Sequence, residues 1–343
     1  MHYFKSQHRF RWIMALLTFI ILVLLMFNLL EGPVAIDPAT VLAATMAKLH
    51  IFVDDYTTEQ YAIIWQLRML DAVEVLLAGF ALGLAGAVMQ GLLRNPLADP
   101  GLLGISSGIG FIVVLLAVLF GAAINIYPWV VPLSACIGGI VVVSLLYAFA
   151  QGVARGHPTG LVLTGVALNA LFGAATMLLM TLASAPILHS VIFWELGGVT
   201  GTSWPIAGFS AIAIVLGGFL LLLQAKRLNV LTLGECDALH SGVNIQSTRI
   251  CCIIGVALLV GASVMLAGPL AFVGLMVPHV MRGWVGADHK RLLWASALGG
   301  AILLLLANWV GLLLSKTVQL PLGVLIAFLG APFFLWLLWK MRL

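Results

Sequence analysis

Charge is what this chain has least of. Only 8% of its 343 residues are Asp, Glu, Lys or Arg, whereas 63% are apolar. A soluble domain carries about 25% charged residues, so this chain has too few to cover a water-facing surface, and the bilayer must solvate most of it. The net charge of +4 is small and its basic residues are scattered, which excludes a nucleic-acid partner. Cysteine is scarce as well. Cys136, Cys236, Cys251 and Cys252 show no C-x-x-C spacing, and the adjacent pair reads as apolar filler rather than a redox or metal site. No Gly-Lys pair occurs, so the nucleotide loop G-x-x-x-x-G-K-[ST] is excluded. There is no H-E-x-x-H, and none of the eight histidines lies three or four residues from another. No catalytic residue, metal site or cofactor is expected, and the chain reads as a transport component rather than an enzyme.

Long apolar runs are what it has instead. A bilayer core of about 30 Å takes roughly 20 apolar residues per helix. That length places spans near 11–30, 62–90, 101–122, 128–150, 160–182, 205–225, 249–267, 291–314 and 322–340, with a shorter apolar piece near 270–281. The first of these follows a polar, basic start without a small-residue cleavage site and reads as an uncleaved helix. Hydropathy alone leaves open whether the short piece crosses; charge decides. If it crosses, 13 of the 16 Lys and Arg residues share one side, and only Lys48, Arg68 and Lys316 lie opposite. If it does not, the split is 9 to 7. Basic residues favour the cytoplasmic side, so the expected fold is an all-α polytopic membrane protein. It forms a single transmembrane domain over 1–343, with ten transmembrane helices and both termini cytoplasmic.

Two extramembrane stretches stand out. In the outer loop, roughly 31–61, Asp37-Pro38 before an Ala-rich run predicts a capped surface helix. The inner loop, roughly 226–248, mixes apolar and polar residues at helical spacing between Gly234 and Gly242, which predicts one or two short helices. Within the second span Gly79, Gly83 and Gly86 form a small-residue stripe suited to close helix packing. Asp71 and Glu74 are the ionisable groups nearest the midplane, in the first turns of that span, with Arg68 placed to pair with Asp71. A secondary transporter would need carboxylates at broken helices near the midplane, and none is evident.

Four segments carry a resemblance. AGFALGLAGAVMQGLLRNPLADPGLLGISSGIG (78–110), LNVLTLGECDALHSGVN (228–244), GPLAFVGLMVPHVMRGWVGADHKRLL (268–293) and LPLGVLIAFLGAPFFLWLL (320–338) resemble, in order, the FecCD-type permeases that import iron-siderophores, haem and cobalamin. The RNPLADP and FVGL-x-x-PH strings are the most specific. The resemblance implies the type II importer fold in the inner membrane, among lipid. It also implies a second permease subunit (homodimer or heterodimer), two ATPase subunits below and a periplasmic substrate-binding protein above. By this resemblance Gly234, Glu235, Ala238, Gly242 and Val243 couple to the ATPase, with Ser241 replacing a usual Leu. Asn95, Leu97 and Thr159 close the pathway at its cytoplasmic end, and Pro278 and His279 are expected where the short eighth helix ends.

The outer face departs from the family. The usual R-x-P-R reads Arg68-Met69-Leu70-Asp71; a usual Asp and Arg are Asn308 and Leu312; a usual Glu is Gln319. Docking of the binding protein is therefore expected to use Arg68, Asp71 and Lys316. The implied cargo is an iron-siderophore-type chelate, with haem or cobalamin as the alternative.

Overall fold

The computed structural model describes residues 2–47, 56–101, 104–121, 130–154, 158–199, 202–314 and 320–341. Every regular element among them is helical. The order is α1 (His2–Leu30), α2 (Pro38–Ala47) and α3 (Thr58–Ala62), which continues through a π-helical stretch (Ile63–Arg68) into α4 (Met69–Leu92). There follow α5 (Ile105–Phe120), α6 (Val130–Ala154), α7 (Pro158–Leu182), α8 (Ala185–Glu195), α9 (Trp204–Leu223), α10 (Ala225–Leu231) and α11 (Glu235–His240). The chain closes with α12 (Ile245–Ala267), α13 (Val273–Val285), α14 (His289–Leu314) and α15 (Leu322–Met341).

Among the described residues, six helical stretches are long and apolar enough to cross a bilayer: Gln7–Leu30, Thr58–Leu92, Leu163–Leu182, Trp204–Leu223, Ile245–Ala267 and His289–Leu314. Ile105–Phe120, Leu133–Leu146 and Leu322–Leu337 are apolar but shorter, and α13 has 13 residues.

The centre of the bundle is α4 against α14, α12 and α13. Its glycine stripe explains how they come so close. A Cβ on Gly79 would lie 2.3 Å from the Gly300 carbonyl oxygen, on Gly83 2.1 Å from that of Ser296, and on Gly86 2.1 Å from that of Gly274. Backbone therefore packs on backbone along one face of α4, which only a missing side chain permits. By contrast, only 17% of the α7 apolar stretch is buried, against 78% for α4 and for α12. α7 belongs to the periphery.

Near one end of the bundle the chain folds back over α4. Asp37 accepts from the Ala39 N–H, and Pro38 opens α2, as its sequence predicts. Val41 and Ala44 of α2 join Leu29, Ile36 and Ile64 in a small satellite core, flanked by Tyr61 and Trp65. α8 was not foreseen; it starts after Ser184 with a proline in its first turn. α13 also corrects the expectation that it ends at Pro278-His279. The helix runs through Pro278 to Val285, and His279 stands edge-on to the Phe333 ring with centroids 5.9 Å apart.

Candidate functional site

The segment between α9 and α12 folds into two short helices joined by a tight turn. Gly234, at φ 142°, starts α11 in a conformation that strains any side chain. Gly242 closes the helix at φ 74°, and the Val243 N–H returns to the Ala238 carbonyl at 2.9 Å. This is a Schellman-like ending, and it caps the last carbonyls of a six-residue helix. Ala238 is fully buried in a core of its own with Leu231 and Ile245, against Leu92, Val230 and Val243. Leu92 is the last residue of α4, so the small core that holds the short helix to α10 and α12 rests on the end of the central helix. Leu233 and Leu239 remain outside, 73% and 63% exposed.

Glu235 makes the charged contacts here. Its Oε1 accepts from Arg249 Nη2 at 2.7 Å and from Arg94 Nη2 at 3.3 Å. Arg249 lies in the first turns of α12, while Arg94 belongs to the loop after α4. Asn229 of α10 provides a second fastening. Its amide donates to Asp288 at 2.7 Å, and its carbonyl oxygen accepts the His289 backbone N–H at 2.8 Å. Burial pushes the Asp288 carboxyl up, but the Asn229 amide, the Lys290 N–H and the Arg291 and Lys290 charges outweigh it and hold the group below its ordinary value.

The loop after α4 is an ordered unit. Arg94 takes φ 50°, turning the chain out of the helix. The Asn95 side chain accepts from the Leu97 N–H at 2.9 Å, and the Ala98 N–H donates to the Asn95 carbonyl at 3.1 Å. Asn95 and Leu97 are half-buried and neighbours in one turn. Thr159 stands in the first turn of α7, and its side chain lies outside the described residues. Further along, the buried Asp99 carboxylate accepts the N–H groups of Gly101 and Phe272, at 3.3 and 3.1 Å. Phe272 has φ 68° and opens α13, so Asp99 bolts the loop to the break before that helix. Gln90 adds a third tie, accepting from Arg282 at 2.9 Å and donating to the Gly274 and Leu275 carbonyls.

At the other end of α4 the expectation that Arg68 pairs with Asp71 is corrected. Its side chain is turned inward, and Arg68 is only 6% exposed. The guanidinium donates to the carbonyls of Leu29 at 2.7 Å, Leu30 at 3.1 Å and Val34. It is thereby spent on holding the turn after α1, and it neither pairs with Asp71 nor projects as a docking anchor. Leu70 is buried and Asp71 half-buried. The Glu74 carboxylate, fully buried, takes the Thr202 hydroxyl. Asn308 donates to Asn28 at 2.8 Å, and Asn28 in turn donates to the Leu24 and Leu305 carbonyls. The position where the family has an Asp thus serves the α1–α14 contact. Lys316 and Gln319 lie outside the described residues.

Gly104-Ile105-Ser106-Ser107-Gly108 spells G-x-S-x-G. A nucleophile elbow sets its serine on an exposed turn between strand and helix. Here Ser106 is a buried residue in the first turn of α5, following a loop. The spacing is coincidental. Among the described residues no group of three His, Cys, Asp or Glu is placed to hold a metal ion.

Six apolar helical stretches long enough to cross a bilayer, packed through a glycine stripe and carrying a two-helix projection, fit a polytopic membrane protein. The FecCD transport family matches residues 20–340. The chain belongs to that family and is an ABC-importer permease. It is 37% identical over 283 residues to the hemin transport system permease protein HmuU of Yersinia pestis, covering 81% of this chain and 84% of that protein. It is 34% identical over 340 residues to the vitamin B12 import system permease protein BtuC of Escherichia coli, covering 98% of each. A solved inward-facing metal-chelate type ABC transporter matches with a TM-score of 0.81 at 30% identity, covering 96% of this chain and 99% of that one.

Proposed function

We propose that this permease carries a metal chelate inward across the cytoplasmic membrane, crossing it ten times with both termini cytoplasmic. It works as one of two paired permease subunits, the mate being a second copy or a sister chain. Two ATPase subunits bind beneath α11, and a substrate-binding protein docks on the opposite face through Asp71 and Lys316. The cargo class is an iron chelate of siderophore type, haem or cobalamin. The names of the hemin and vitamin B12 relatives support the two macrocycles as the first substrates to test.

The observation that carries this reading is the seat of Ala238. A helix as short as α11 has no stability of its own. Its core with Leu231 of α10 and Ile245 of α12 ties it to a unit that rests on Leu92 and can pass a displacement to α4. Its exposed Leu233 and Leu239 give an ATPase something to grip. Asn95 and Leu97 close the pathway in the loop that α4 leads into, with Thr159 opposite.

Ala238→Phe tests the assignment. Overfilling that core costs about 1–3 kcal/mol, far less than the central bundle supplies, so the variant stays membrane-inserted. Co-purification of the ATPase subunit, or the transport-linked stimulation of its hydrolysis, should be lost. Retention of both at wild-type level would remove α11 from the interface.

A further inference from the structure

We infer that Arg94 is the residue through which the short helix α11 moves the gate loop, and that Glu235 is its handle. The inference rests on the coupling role proposed above for α11 and adds the mechanical connection.

The geometry is asymmetric in an informative way. Glu235 gives one oxygen, Oε1, to two arginines. The Arg249 contact is short, 2.7 Å, and the Arg249 side chain is only 18% exposed. The Arg94 contact is longer, 3.3 Å, with 34% of that side chain exposed. A short, sheltered contact holds α11 to the first turns of α12, whereas a longer, wetter one hooks the gate loop and can let go. Screening by water weakens such a contact without abolishing it, which suits a link that must break and re-form in each cycle.

Arg94 is also placed at the point where a pull acts on the gate. It is one of only two non-glycine residues at positive φ among the described residues. An ordinary long side chain in that conformation costs free energy that Gly or Asn would avoid, so a reach toward Glu235 offers a reason for arginine there. The next residue, Asn95, begins the turn that ends at Ala98, tied by its own hydrogen bonds. Beyond it, Asp99 fixes the far end to Phe272. The loop is therefore anchored at Asp99, stiff between 95 and 98, and hooked at Arg94. On the other side of α11, Asn229 fastens α10 to Asp288 and His289, so the projection has a hinge on one flank and a hook on the other. Displacing α11 about the hinge draws on the hook.

The test uses the permease with its ATPase in proteoliposomes, reading substrate taken up per ATP hydrolysed. Arg94→Glu should keep the complex assembled and hydrolysing, while uptake per ATP falls at least tenfold. Arg94→Lys, which keeps the charge, should recover most of that loss. As a second readout, a disulfide between Leu97→Cys residues of paired subunits should depend on nucleotide in the parent protein and lose that dependence with Arg94→Gln. Unchanged uptake per ATP in Arg94→Glu, or a Leu97→Cys disulfide that keeps its nucleotide dependence with Arg94→Gln, overturns the hook while leaving the coupling helix in place. A parent complex that hydrolyses ATP with no uptake at all overturns the transport reading itself, and the hook with it.

Discussion

Arg68 shows how one side chain can change role without changing identity. Its two terminal nitrogens donate to three carbonyl groups of residues 29–34, its buried Nε has no partner, and Gly32 lies so close that a Cβ there would sit 2.8 Å from Nε. Hydrogen bonds to a charged group are worth about 1.5–3 kcal/mol each when net desolvation is counted. Arg68→Met should therefore lower the thermal midpoint of the purified protein by several degrees. It should leave the salt dependence of binding-protein association unchanged, as a stopped-flow series at rising ionic strength would show. A steep change in that dependence would return Arg68 to the outer surface. The sequence marked this residue as important through its place in the family pattern. It could not show the side chain's direction, because that depends on the wider π-helical stretch Ile63–Arg68 and on a turn 34 residues upstream. Arg94, Asp99 and Gln90 were hidden for a similar reason. The first two lie in the RNPLADP string, yet their partners Glu235 and Phe272 are distant in the chain.

Helices were far more legible than side-chain roles. Periodicity is not needed to see a run of 20 apolar residues, and the Asp37-Pro38 cap and the turn glycines 234 and 242 each carry a local backbone signal. The resemblance places the end of the short helix at Pro278-His279, and the structure does not. Proline removes the bond to the carbonyl four residues back and usually ends or kinks a helix. Here that carbonyl belongs to Gly274, and Gln90 of α4 supplies it with a donor at 3.3 Å. A tertiary contact thus repairs a local break, and α13 continues for seven residues past the proline. Gln90→Leu should fray α13 beyond Pro278, measurable as faster amide exchange over 279–285 with little change elsewhere. The glycine stripe makes a larger prediction at this scale. Gly83→Leu forces α4 from Ser296 of α14, where even a Cβ would lie 2.1 Å from the carbonyl oxygen. Such overpacking costs about 1–3 kcal/mol or more, and with backbone on both sides little can relax. Membrane levels of the variant should fall sharply, whereas Gly173→Leu, with nothing within 4 Å of its Cβ position, should be tolerated in the same assay.

At the scale of the whole molecule, the charge asymmetry and the packing point the same way. Arg94, Arg249, Arg282 and Asp288 gather around the α10–α11 projection, and Arg291 lies over the Phe10 ring at 5.6 Å, joining the start of α1 to that of α14. The first turns of α1 and the projection therefore share one end of the bundle. Family membership fixes the class of transporter. The central claim is ATP-driven inward movement of a metal chelate. It is tested most directly by reconstituting the permease with its ATPase and binding protein and following labelled haem, cobalamin and a ferric siderophore across the bilayer. Accumulation of one of the three that requires ATP and disappears with Ala238→Phe is the predicted result. Accumulation that runs without ATP, or persists unchanged in that variant, would contradict it.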